Sequence, residues 1–160
     1  MRRGLYETWT AIREALLSIN GLAGGYWLDW SERVFPVLVT PEDGASMPDW
    51  WACMPMIGGR ATNEPGPTAD IAAWVQPIVI FVPENASDPL DTKAIEYASH
   101  AVDDVRRMIR QNGRLGSAVV SVADWEIEAG VGLGDNSYGE AIISLAITQT
   151  LSAQSLGPLA

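Results

Sequence analysis

Ala141, Ile143, Leu145 and Ile147 stand at every second position between Glu140 and Thr150. Side chains of a β-strand point alternately to opposite faces, so this period commits the segment to a strand with one buried face. Such a face needs cover, and two amphipathic segments can supply it. In the first, Leu5, Trp9, Ile12, Leu16 and Ile19 fall on one stripe at spacings of four and three, which predicts a helix from Leu5 to Ile19, ended by Asn20-Gly21. In the second, Ser87-Asp88-Pro89 offers a cap followed by proline at the first helical position, and Asn112-Gly113 stops a helix that reaches Gln111. Its expected core stripe is Ile95, Ala98, Val102, Val105 and Ile109, and its wet face Lys93, Glu96, His100, Asp103, Asp104 and Arg107.

Further strands are expected at Val37–Val39, at Ile78–Val82, where the run is wholly apolar and central in character, and from Ala118 to Glu128. The stretch 41–70 is a Pro- and Gly-rich excursion, with an apolar island from Trp50 to Ile57 that suits a strand or hairpin. Helices do not separate every strand. The reading is therefore an α+β fold, a mostly antiparallel or mixed sheet of about four to five strands with two main helices packed on it. Residues 1–151 make one domain, and 152–160 read as a flexible C-terminal tail.

The charge is lopsided. Twenty acids face ten bases, a net charge of −10. Every Lys and Arg lies at or before Arg114, whereas Asp124, Glu126, Glu128, Asp135 and Glu140 follow with no base among them. A surface of this sign repels phosphate and argues against electrostatic binding of nucleic acid. One cysteine, Cys53, excludes an internal disulfide. After Met-Arg-Arg comes an amphipathic stretch rather than an apolar one, so no signal peptide is expected. The longest apolar run is too short to cross a membrane.

Catalytic chemistry finds little material. His100 is the only histidine and sits among charges on the wet face of the second helix, which suits an exposed surface residue. Cys53 lies between Ala52 and Met54 and reads as a buried, inert thiol. The common zinc ligand sets cannot be assembled from one His and one Cys. Gly130, Gly132 and Gly134 lack the third glycine of a dinucleotide loop, because Asp135 occupies its place, and the segment leads into a strand, not a helix. No catalytic residue, cofactor or metal is therefore expected. Asp124, Glu126 and Glu128 share one strand face with Ala118, Val120 and Val122, a pattern of a strand leaving the core for water, with a carboxylate site as the less favoured reading. Trp27, Trp30, Trp50 and Trp51 lie in loops. They either fold back over the sheet or anchor a subunit contact.

The layout as a whole resembles the tail terminator, or tail completion, proteins of long-tailed bacteriophages. The order carries the likeness: an amphipathic N-terminal helix, a strand introduced by Phe35-Pro36-Val37, a variable excursion, the apolar strand Ile78–Val82, a long helix ending in Arg110-Gln111-Asn112-Gly113-Arg114-Leu115-Gly116, and an acidic hairpin leading to a final alternating strand. The resemblance implies a structural virion protein without catalytic residues, assembled in the host cytoplasm. It implies a homo-oligomer, a hexameric ring that caps the tail tube, ends its polymerisation and meets the head–tail connector. DNA would pass without specific binding, and no membrane is involved. On that reading Asp124, Glu126, Glu128 and Asp135 are candidates for a pore lining, and Trp27, Trp30, Trp50 and Trp51 for subunit or tube contacts. A head-closure or neck adaptor of the same particle, and a small ligand-binding α+β domain with a site between the excursion and the sheet, are the alternatives.

Overall fold

A computed structural model describes residues 4–41, 48–55, 62–83, 93–115, 118–131 and 137–152. The expected helix start at Ser87-Asp88-Pro89, residue Asp135 and the tail beyond Ser152 lie outside them. The fold is α+β. Helices α1 (Leu5–Leu17) and α2 (Lys93–Gln111) lie on one face of a mixed sheet built from β1 (Val34–Phe35), β2 (Trp51–Cys53), β3 (Thr62–Glu64), β4 (Ala69–Pro83), β5 (Arg114–Leu115), β6 (Ala118–Val131) and β7 (Ser137–Ser152). The strands run in the order β1-β2-β4-β7-β6-β5, and β3 pairs with the other half of β4. Among the described residues only β1 and β2 pair in parallel. The strand count exceeds the expectation because two short strands add to it, β3 inside the excursion and β5 directly after α2.

Three long strands dominate. β4 and β7 pair without interruption from Ala69 opposite Ser152 to Pro83 opposite Tyr138. The apolar run Ile78–Val82 is thus the second half of a strand that starts inside the expected excursion. Its first half alternates and so buries only one side, with Ala72, Trp74 and Gln76 inward and Ile71 and Val75 outward. The period-two expectation for β7 holds: Ala141, Ile143, Leu145 and Ile147 are all buried beneath the helices.

Glu7 caps α1 by accepting from the Gly4 backbone N–H at 3.0 Å. The helix buries Trp9, Ile12 and Leu16. It also docks through a polar pair: the Thr8 hydroxyl donates to Gln149 Oε1 at 2.8 Å, and Gln149 Nε2 donates back to the Gly4 carbonyl at 3.3 Å. Both side chains are buried, so each needs the other. On α2 the buried stripe is Ala94, Ala98, Ala101, Val102, Val105, Met108 and Ile109. Ile95 is not part of it and is 39% exposed. Ala94 takes its place because the helix passes very close to β7, where a Cβ on Gly139 would stand 2.8 Å from the Ala94 carbonyl oxygen. Only small residues fit at that crossing.

Asp104 departs furthest from the amphipathic pattern. It was expected on the wet face and is buried. Its carboxylate accepts from the Trp27 N–H at 2.8 Å, the Leu28 N–H at 2.9 Å and the Trp30 indole Nε1–H at 3.1 Å. It ties the loop after α1 to α2 and satisfies three donors at once.

Val37–Val39 is no strand. The two strand residues are Val34 and Phe35, held to β2 by carbonyls on either side of Val34: Ala52 N–H donates to Arg33 O and Met54 N–H to Phe35 O, both at 2.8 Å. Pro36 then turns the chain out of the sheet, consistent with its missing N–H. The following residues form a strap across the outer side of β2. Trp51 Nε1–H donates to Val39 O at 2.8 Å, and the Val39 N–H meets Cys53 Sγ at 3.3 Å. Beneath the strap Trp51, Cys53 and Phe81 make a second small core.

Candidate functional site

Among the described residues no helix lies over the outer face of the sheet away from the strap. The β4–β7–β6 register aligns its rows. Ala73, Thr148 and Val119 form one, then Val75, Ala146 and Ser121, then Pro77, Ser144 and Asp124, then Val79, Ile142 and Glu126, then Phe81, Glu140 and Glu128. Across this face Ile71, Val75, Val119 and Ile142 are exposed apolar side chains, with Val75 at 59%. The β4 side is apolar and the β6 side acidic.

The acids reach this face through a bulge. Ala118 and Val120 point inward under α2, and had the strand run on regularly Asp124, Glu126 and Glu128 would follow them, as expected from spacing alone. A register shift between Val122 and Asp124 inserts Ala123 and reverses the phase. Trp125 and Ile127, opposite the buried Ile143 and Ala141, take the inward positions instead. The three acids therefore stand on the outer face, in water. The Glu126 carboxyl is pushed above its ordinary value, first by the hydrogen bond with Glu128 and then by the charge of the same residue. Glu140, partly buried and facing Glu128 across the strand pair, is pushed up by burial and then by the charge of Glu126.

The sign for Glu140 follows from linkage. Its folded-state value lies above the ordinary 4.5, so the unfolded chain releases this proton first as pH rises, and the folded state is penalised above that pH. Glu140→Gln is expected to raise the melting temperature at pH 7 and to leave it unchanged well below pH 4.5, where both states hold the proton. A gain of equal size at both pH values would show that the benefit has another source.

On the opposite side of β6, α2 presents bases. Arg106, Arg107 and Arg110 crowd its last turns, where cations also suit the helix dipole. Arg106 stacks over the Trp125 ring at 4.4 Å, and Arg107 lies over Tyr26 at 5.8 Å. Two open clefts of about 480 and 350 Å³ flank the ridge made by Arg106 and Arg110. Trp27 lines the first and Trp125 the second. Trp27 is 55% exposed and stacks flat on His100 at 4.4 Å.

The tryptophans divide accordingly. Trp30, Trp50 and Trp51 are buried in this chain and are not available as surface anchors. Trp30 and Trp50 meet edge to face at 5.1 Å in the main core. Trp27 alone of the four remains at the surface, joined there by Trp125, which the sequence reading passed over. Its position next to Asp124 was the available signal, since a bulge is what puts it on the arginine side. Cys53 is fully buried and burial pushes its thiol up, consistent with an inert residue. Among the described residues no group of three His, Cys, Asp or Glu side chains forms a cation site, and no helix is long and apolar enough to cross a membrane. Compared with known protein families and with curated proteins, the chain matches none.

Proposed function

We propose that this protein is a structural assembly part, a ring subunit of the tail terminator kind that caps a phage tail tube and meets the head connector. The observation that supports this reading is the outer face of the sheet, which no helix covers among the described residues. Three strands of 14 to 16 residues carry exposed Ile71, Val75, Val119 and Ile142 side by side with a carboxylate row. An apolar sheet face of this extent is what a subunit contact covers. The two clefts on α2 are open to solvent and lined by long, flexible arginines, a poor frame for a converging active site.

The test is the mass of the purified protein by light scattering, alone and mixed with tail tubes. The reading expects a closed multiple of the 17.3 kDa chain, formed in solution or at tube ends. A protein that stays monomeric and ignores tubes would remove it.

A further inference from the structure

We propose that copies of this chain contact one another head to tail, the arginine ridge of α2 on one copy docking against the acidic outer row of β6 on the next. The inference rests on the reading of the chain as a self-assembling part and assigns the surfaces involved. Three observations carry it. The ridge and the row are complementary in charge, Arg106, Arg107 and Arg110 against Asp124, Glu126 and Glu128. They cannot neutralise each other within one molecule, because they lie on opposite sides of the same strand: Arg106 reaches β6 through Trp125 on the inner side, whereas the acids project outward. Among the described residues the ion pairs are Arg33–Asp49 at 2.7 Å and Arg106–Asp103 at 3.6 Å, so no base reaches the acid row. Arginine is also the base best suited to a contact of this kind, since its planar fork pairs carboxylates two bonds at a time.

Each patch has aromatic or apolar material beside it. Trp27 and Trp125 flank the arginines, and Val119 and Ile142 flank the acids. Charges then set orientation while the apolar groups supply affinity. Patches on opposite faces generate a heterologous contact, which closes into a ring or runs on as a filament, whereas a two-fold dimer needs one self-complementary patch. In a ring of this kind the acid row is covered by a neighbour and does not line a pore.

A second explanation of the row is local. Beyond Ser121 the outer edge of β6 has no strand partner among the described residues, and a bulge with a run of charges is how edges are protected from unwanted pairing. That role is indifferent to sign, because lysines guard an edge as well as carboxylates do. The docking role is not, so charge reversal separates them.

The experiment is sedimentation of three proteins at low salt, each checked for native circular dichroism: the wild type, Arg106→Glu/Arg110→Glu, and Asp124→Lys/Glu126→Lys/Glu128→Lys. The wild type is expected to self-associate and to dissociate as salt is raised. Each reversed variant alone is expected to lose at least tenfold in association, and an equimolar mixture of the two to regain it, since the untouched patch of each then meets its partner. A wild type that remains monomeric at millimolar concentration overturns the proposal. So does association that survives either reversal, the outcome expected of pore-lining or edge-guarding acids. Association through these patches by a protein that ignores tail tubes would keep the contact and remove the terminator reading.

Discussion

Asp104→Ala should cost about 3 kcal/mol of folding stability, a large effect for a residue that sequence pattern places on the surface. The substitution removes one carboxylate and strands three donors, the N–H groups of Trp27 and Leu28 and the indole of Trp30. Two of these groups sit in a buried setting where water cannot replace the lost acceptor. For a domain of this size the loss corresponds to a melting temperature lower by about 6–12 °C. Asp104→Asn retains one oxygen and should lose about half as much, because the amide nitrogen faces donors it cannot accept from. Thermal denaturation followed by circular dichroism reads both. A loss under about 1 kcal/mol for the alanine variant would mean that the loop finds other acceptors and that Asp104 is not its anchor.

Trp51→Ala should cost about 3–5 kcal/mol, the usual range for emptying an aromatic site in a core. Trp51 packs against Phe81 with ring centroids 5.7 Å apart and holds the strap through its bond to Val39 O. The substitution therefore acts twice: it opens a cavity in the small outer core and releases the segment after Pro36. Trp51→Phe keeps most of the packing and loses the indole donor, a deficit of about 1 kcal/mol. Limited proteolysis separates the two terms. Cleavage between Val37 and Thr40 is expected to accelerate in the alanine variant well beyond its global destabilisation. A strap that stays protected in that variant would place its anchor elsewhere.

How much was legible beforehand varies element by element. Both helices and the last two strands follow from periodicity, because each buries one face and the chain repeats that demand every two or every three to four residues. The β7 alternation and most of the α2 stripe came out residue for residue. The failures share a cause, which is that pattern reports average surroundings and not partners. Val37–Val39 has strand composition, but Pro36 and the pull of Trp51 lift it off the sheet. β4, at 15 residues, is three times as long as its apolar run, since its first half faces solvent on one side and has no continuous hydrophobic signature. Trp30 and Trp50 sit in irregular segments and Trp51 opens the three-residue β2, too short for spacing to say anything about burial.

The sequence by itself determined the fold class, the two covering helices, the central position of Ile78–Val82 and the overall negative charge. These depend on composition and on local period, which belong to the chain. Only the tertiary structure decided where the charges stand. One residue inserted at Ala123 turns Asp124, Glu126 and Glu128 from the helix side to the open side of the sheet, and Trp125 the other way to meet Arg106. Burial of Asp104 likewise required three donors arriving from a loop more than seventy residues away. A bulge and a long-range hydrogen bond are both set by what lies opposite, and no period along the chain encodes that.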